Sequence, residues 1–128
     1  MILITGGAHQ GKLNFAKTLA AKSFEETILL DGEHLTEETS VKAAIISRFH
    51  LYIRILLTKG HPVKEEVKRF LAQNPDVILT VTELGCGIVP MDAFDRQYRE
   101  TVGRICCMLA EEAQAVYRVT CGIGIKIK

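Results

Sequence analysis

The sequence predicts a three-layer α/β domain, a mainly parallel sheet with helices on both faces. Three observations predict it. Short apolar runs near Ile2-Leu3-Ile4, Thr27 to Leu30 and Val77 to Val81 alternate with longer stretches whose apolar residues recur at helical spacing. Strands separated by helices need right-handed crossovers, and these make the sheet parallel. The conspicuous polar or glycine-rich places, the loop after Ile4, Asp31 and Glu83, all fall at predicted strand ends, where ligands sit in such sheets. With 128 residues, 48% of them hydrophobic, the chain supplies one core and not two, so residues 1–128 are read as a single domain.

Taken in order, Ile2-Leu3-Ile4 is a continuous apolar run closed by glycine, and after Lys12 the residues Phe15, Ala16, Leu19 and Ala20 share one helical stripe. Thr27 to Leu30 is a second strand ending at Asp31-Gly32. Thr36 or Ser40 then offers the cap of a long helix running to about Lys59, where Gly60 stops it. In that helix Ile45, Phe49, Ile53 and Leu56 form the packed side, while Ser47, His50, Arg54 and Thr58 gather on the wet one. Pro62 suits the first turn of a further helix with Val63, Val67, Phe70 and Leu71 inward, and Asn74-Pro75 ends it. The strand Val77 to Val81 opens into a glycine loop from Glu83 to Pro90. Asp92 caps a helix with Phe94, Tyr98, Ile105 and Leu109 as its apolar stripe and Arg96, Arg99 and Gly103 on another face. Ala115 to Val119 is a further strand, and the alternation of Ile123, Ile125 and Ile127 with Gly124, Lys126 and Lys128 predicts a half-exposed terminal one.

Basic and acidic residues nearly cancel, 16 against 15, so bulk charge points neither to nucleic acid nor to an anionic membrane as partner. Any anion site must be local. Met1 leads straight into a strand, without the basic n-region of a signal peptide. The longest apolar stretch, Val41 to Leu57, carries Lys42, Arg48, His50 and Arg54, too much charge for a membrane span. The expectation is a cytoplasmic protein. Cys86, Cys106, Cys107 and Cys121 lack paired C-x-x-C spacing, which argues against structural zinc and for reduced, mostly packed thiols.

The chemistry concentrates in Gly6-Gly7-Ala8-His9-Gln10-Gly11-Lys12, which satisfies G-x-x-x-x-G-K between a strand and a helix. Glycines let successive backbone N–H groups turn inward on phosphate oxygens, the helix N-terminus adds partial positive charge, and Lys12 supplies a full one. This makes the domain P-loop NTPase-like, with ATP or GTP as the expected cofactor. Leu13 stands where such loops carry the Ser or Thr that ligates Mg2+. Asp31 and Glu83 are the acids placed to hold Mg2+ or to orient a hydroxyl, and each reads equally as a turn or capping residue. Lys12 and Glu83 are the candidate catalytic residues.

The opening from Met1 to Ala8 with Gly11-Lys12 resembles the adenosylcobinamide kinase/adenosylcobinamide-phosphate guanylyltransferase family of cobalamin biosynthesis. Thr82-Glu83-Leu84-Gly85-Cys86-Gly87-Ile88-Val89-Pro90 is similar to that family's N-E-V-G-x-G-I-V-P loop, and Arg96-Gln97-Tyr98-Arg99-Glu100 with Gly103 to its R-x-F-R-D-x-x-G helix. The resemblance implies NTP-dependent phosphorylation of a corrinoid substrate, adenosylcobinamide, followed by transfer of GMP to that phosphate, in a homo-oligomer, a trimer or hexamer. The family's R-I-x-x-H-x-x-R-R-P segment, which carries the guanylylated histidine, has its nearest imitation in Arg48-Phe49-His50 with Arg54, at different spacing. Two readings stand side by side: a kinase and nucleotidyltransferase, and a P-loop binding or regulatory module that has lost turnover.

Overall fold

The structure, a computed structural model, describes residues 1–85 and 90–128. Strand β1 (Ile2–Gly6) runs into helix α1 (Lys12–Ser23), and β2 (Ile28–Asp31) into a single 3-10 turn (Gly32–His34). Strand β3 (Ala44–Ser47) leads to α2 (Phe49–Thr58) and α3 (Val63–Gln73), β4 (Ile78–Thr82) precedes α4 (Ala93–Glu112), and β5 (Ala115–Thr120) turns into β6 (Ile123–Lys126). The sheet order is β2-β3-β4-β1-β5-β6, parallel throughout except for the antiparallel β5–β6 hairpin. Cys86 to Val89, the middle of the expected glycine loop, lie outside the described residues.

The predicted layering follows from the twofold alternation of strand side chains. Leu3, Ile46 and Leu79 face one core together with Phe49, Tyr52, Ile53, Val67, Phe70, Ile105 and Leu109 from α2, α3 and α4. Their neighbours Ile4, Ile45 and Ile78 face the other, against Ala16 and Ala20 of α1. A small-residue stripe on α1 lets it lie close to the sheet, and the strand ends that it covers are the ones that build the site.

The long helix expected from Thr36 or Ser40 to Lys59 is instead a strand followed by a shorter helix. Ala44, Ile45 and Ile46 are 0%, 2% and 0% exposed because β3 lies between β2 and β4 with helices on both sides. A strand buried on both faces reads as a continuous apolar run, and here Ile45 happens to fall in helical phase with Phe49 and Ile53. The change of structure occurs at Arg48, whose φ of 51° lies in the left-handed region and breaks both periodicities. Within α2 the stripe is real, and the rings of Phe49, Tyr52 and Phe70 pack with centroids 5.6 to 5.7 Å apart.

Residues 36–43, once expected to be helical, are tied down by Asn74. This side chain is fully buried; its Oδ1 accepts from Val41 N at 2.6 Å, and its Nδ2 donates to Thr39 O at 2.9 Å and Phe70 O at 2.8 Å. Asn74→Ala removes the partner of Val41 N, Thr39 O and Phe70 O at once, and a stability loss of about 3 kcal/mol is expected, read as a lower denaturant midpoint at unchanged slope.

Among the described residues no helix is long and apolar enough to cross a membrane. Among the described residues Cys106, Cys107 and Cys121 are free thiols; Cys106 is packed as expected, whereas Cys107 and Cys121 are exposed, and Cys86 lies outside the described residues. Cys107 sits on the outer side of α4, and Cys121 occupies the hairpin turn with φ 51°.

Candidate functional site

The loop between β1 and α1 is shaped by its glycines. Gly6 has φ 150° at the end of β1, and a Cβ there would be driven into the Val119 carbonyl of β5, so only glycine lets the chain leave the sheet at this point. Gly11, at φ 90°, occupies the N-cap position of α1, and His9 at φ 57° also adopts the left-handed conformation. The far side of the loop is stapled to the β5–β6 turn: Gly122 N donates to Gln10 O at 2.8 Å, and Cys121 N to Gln10 Oε1 at 2.7 Å. Nothing in the motif pattern singles out Gln10, one of its variable positions, for this role.

Lys12 turns back over the loop and donates from Nζ to Gly7 O at 2.6 Å. It is 9% exposed. Burial pushes its ammonium below the ordinary lysine value, and the negative charge of Glu83 opposes that shift. Among the described residues its hydrogen bond goes to one loop carbonyl, and a cation so held is one that an arriving anion can recruit.

Beyond the loop opens a cleft of about 560 Å³ whose lining includes Gln10, Lys12, Leu13, Asp31, Arg48 and His50. Asp31 and Arg48 stand at the carboxyl ends of β2 and β3, where a ligand site of this fold belongs. Asp31 caps the 3-10 turn, as in its structural reading, by accepting from Glu33 N at 2.9 Å, and it also pairs with Arg48 Nη2 at 2.8 Å, a partner that the sequence did not point to. Burial raises its pKa, but the Arg48 and backbone hydrogen bonds prevail and hold the carboxyl below its ordinary value.

His50 departs from its expected place on the wet side of a helix. It is 8% exposed, and its Nδ1 accepts a hydrogen bond from Thr82 N at 3.3 Å. An acceptor Nδ1 leaves the ring proton of the neutral imidazole on Nε2, so the lone pair needed for attack on a phosphorus faces the backbone and not the cleft. Burial, then the charges of Lys12 and Arg48, push its pKa down to about 4. Because the unfolded chain takes up this proton near the ordinary histidine pKa of about 6.5 and the folded chain only near 4, stability falls as the pH drops through that window. NMR titration of the His50 ring is expected to show a midpoint of about 4, a prediction refuted by a midpoint near the ordinary value of about 6.5.

Glu83 lies not in this cleft but in the adjoining one of about 360 Å³, with Arg99 and Cys106; Thr82 lines both. Its carboxylate receives Arg118 Nε at 3.0 Å and Nη2 at 3.1 Å, a two-pronged pair across β4, β1 and β5. The α4 arginines meet loop carbonyls: Arg96 donates to Pro90 O at 3.1 Å and to Met91 O, and Arg99 to Gly85 O. On the same helix Glu100 pairs with Arg104, and Asp95 with Arg54 of α2.

The oxygen donors expected for a magnesium ion are not brought together. Leu13 offers no oxygen, and Asp31 and Glu83 line different clefts with an arginine paired to each.

A parallel sheet whose first strand opens through a glycine-lined loop into a lysine-led helix defines an α/β protein of the P-loop type. The model of the cobinamide kinase / cobinamide phosphate guanyltransferase family matches residues 25–127, and the chain belongs to that family. Similar curated relatives are the bifunctional adenosylcobalamin biosynthesis proteins CobU of Escherichia coli and of Salmonella typhimurium, each 44% identical over 52 residues, a segment covering 41% of this chain. The match spans 29% of the length of either relative.

Proposed function

We propose that the chain binds the polyphosphate of a nucleoside triphosphate, ATP or GTP, at residues 6–13 and serves cobalamin biosynthesis through that site. The observation that carries this reading is Lys12, buried and parked on the Gly7 carbonyl at the floor of an open cleft. On nucleotide arrival Nζ exchanges this carbonyl for phosphate oxygens, while loop amides and the N-terminus of α1 supply the remaining donors. The membership of the family and the names of the relatives support a corrinoid as the second substrate. In that reaction Lys12 stabilises charge on the transferred group, and Glu83, oriented by Arg118 in the adjoining cleft, positions the acceptor hydroxyl.

A second reading, a binding or regulatory module without turnover, is favoured by Leu13 and by the hydrogen bond that turns His50 Nδ1 away from nucleophilic work. Calorimetric titration with ATP and GTP tests the binding common to both readings, and its absence removes both. Phosphorylation of adenosylcobinamide, followed by mass spectrometry, separates them: product supports the enzyme, and nucleotide binding without product supports the module.

A further inference from the structure

Resting on the nucleotide reading, we propose that phosphate binding in this cleft is independent of divalent metal, the Arg48 guanidinium supplying the positive charge that a cation otherwise brings. The backbone is built to present this side chain. Arg48 adopts φ 51°, its N–H is fixed by Thr80 Oγ1 at 3.2 Å, and its carbonyl lies against Gly32, where any Cβ would collide with it. The close approach of Gly32 brings the ends of β2 and β3 together and sets Arg48 beside Asp31 on the wall of the cleft that holds Lys12.

A guanidinium carries five donors in a fixed fork. Nε donates to Asp31 Oδ2 at 2.9 Å, and Nη2 lies 2.8 Å from the same oxygen and 3.4 Å from Glu33 Oε2. Among the described residues no acceptor takes Nη1, and the side chain is 54% exposed, so one edge of the fork remains available to phosphate while the other is held in place by the two acids. The same pairing occupies the carboxylate that a metal would need. Leu13 completes the pattern: the apolar side chain packs against the α1 core where a metal-binding hydroxyl belongs, so the residue change and the arginine act in the same direction. Two fixed cations, Lys12 and Arg48, and a neutral His50 then face the anion, with Asp31 as the counter-charge of Arg48.

The test is calorimetry with ATP, GTP and inorganic pyrophosphate on the full chain, in EDTA and in Mg2+. Affinity in EDTA is expected to stay within about threefold of that in Mg2+, and Arg48→Asn to lower it about tenfold or more, the loss expected for hydrogen bonds from a charged donor. Asparagine tolerates the left-handed backbone, which keeps the fold out of the comparison, and Arg48→Lys restores part of the binding. Asp31→Asn removes the carboxylate that a metal would need, and the ratio of affinities in EDTA and in Mg2+ is expected to stay the same in this variant as in the wild type. Binding that appears only with Mg2+, or a Mg2+-dependent affinity lost in Asp31→Asn, overturns the proposal and leaves the nucleotide reading standing. Equal affinities that ignore Arg48→Asn overturn the role of the arginine. No binding under either condition sinks the nucleotide reading itself.

Discussion

Lys12→Ala is expected to weaken ATP and GTP binding by about 10- to 100-fold, because it removes the charged donor that we propose meets the phosphates, and hydrogen bonds from charged groups are worth about 1.5–3 kcal/mol. Stability should move little. The ammonium is partly desolvated, its hydrogen-bond partner among the described residues is the Gly7 carbonyl, and both the burial cost and that bond disappear together. Loss of affinity with an unchanged melting temperature therefore identifies Lys12 as a ligand-facing cation. Wild-type affinity in the variant would instead make its contact with Gly7 a purely structural loop tie. Lys12→Arg is not expected to be a full rescue, since a planar guanidinium fork does not reproduce the compact point charge of an ammonium.

Gly6→Ala is expected to produce the largest stability loss, about 3 to 5 kcal/mol, summing a strained backbone at φ 150° and a Cβ forced into the Val119 carbonyl. Against the usual net stability of about 5–15 kcal/mol, the melting temperature should fall by about 10 °C or more. Gly60→Ala is the internal comparison. Gly60 has φ 70° but nothing within 4 Å of its would-be Cβ, so it bears only the conformational cost, about 1 kcal/mol. Similar losses in the two variants would show that the close approach of β5 to Gly6 contributes nothing.

The two experiments probe different layers of one arrangement. Gly6 sets where the chain leaves the sheet, and the Glu83 N–H donates to the Gly6 carbonyl at 3.0 Å, so the first loop and the loop after β4 start from the same hydrogen-bonded pair of strand ends. Displacing Gly6 should therefore also degrade nucleotide binding in whatever fraction of Gly6→Ala remains folded.

The parallel sheet, the helices on both faces and the glycine-lined loop between β1 and α1 were legible because each is written in local sequence. Ile2-Leu3-Ile4 followed by glycines, and Asp92 capping α4 through hydrogen bonds from Phe94 N and Asp95 N, need no distant partner to be recognised. The failure between Thr36 and Lys59 has the opposite origin. Ile45 and Ile46 form a strand because β2 and β4 flank them, and a pattern buried on both sides carries no local mark of which period it obeys. His50 was misplaced for the same reason, since its environment depended on where that strand ended.

By itself the sequence determined the strand–loop–helix that carries Lys12, the glycines that permit it and the family resemblance, all of them properties of residues adjacent in the chain. Only the tertiary structure decided that Asp31 belongs to Arg48 and Glu83 to Arg118, pairs separated by 17 and 35 positions. Such pairs follow from strand order and register, and those are settled by burying the sheet on both faces, a balance struck over the whole core.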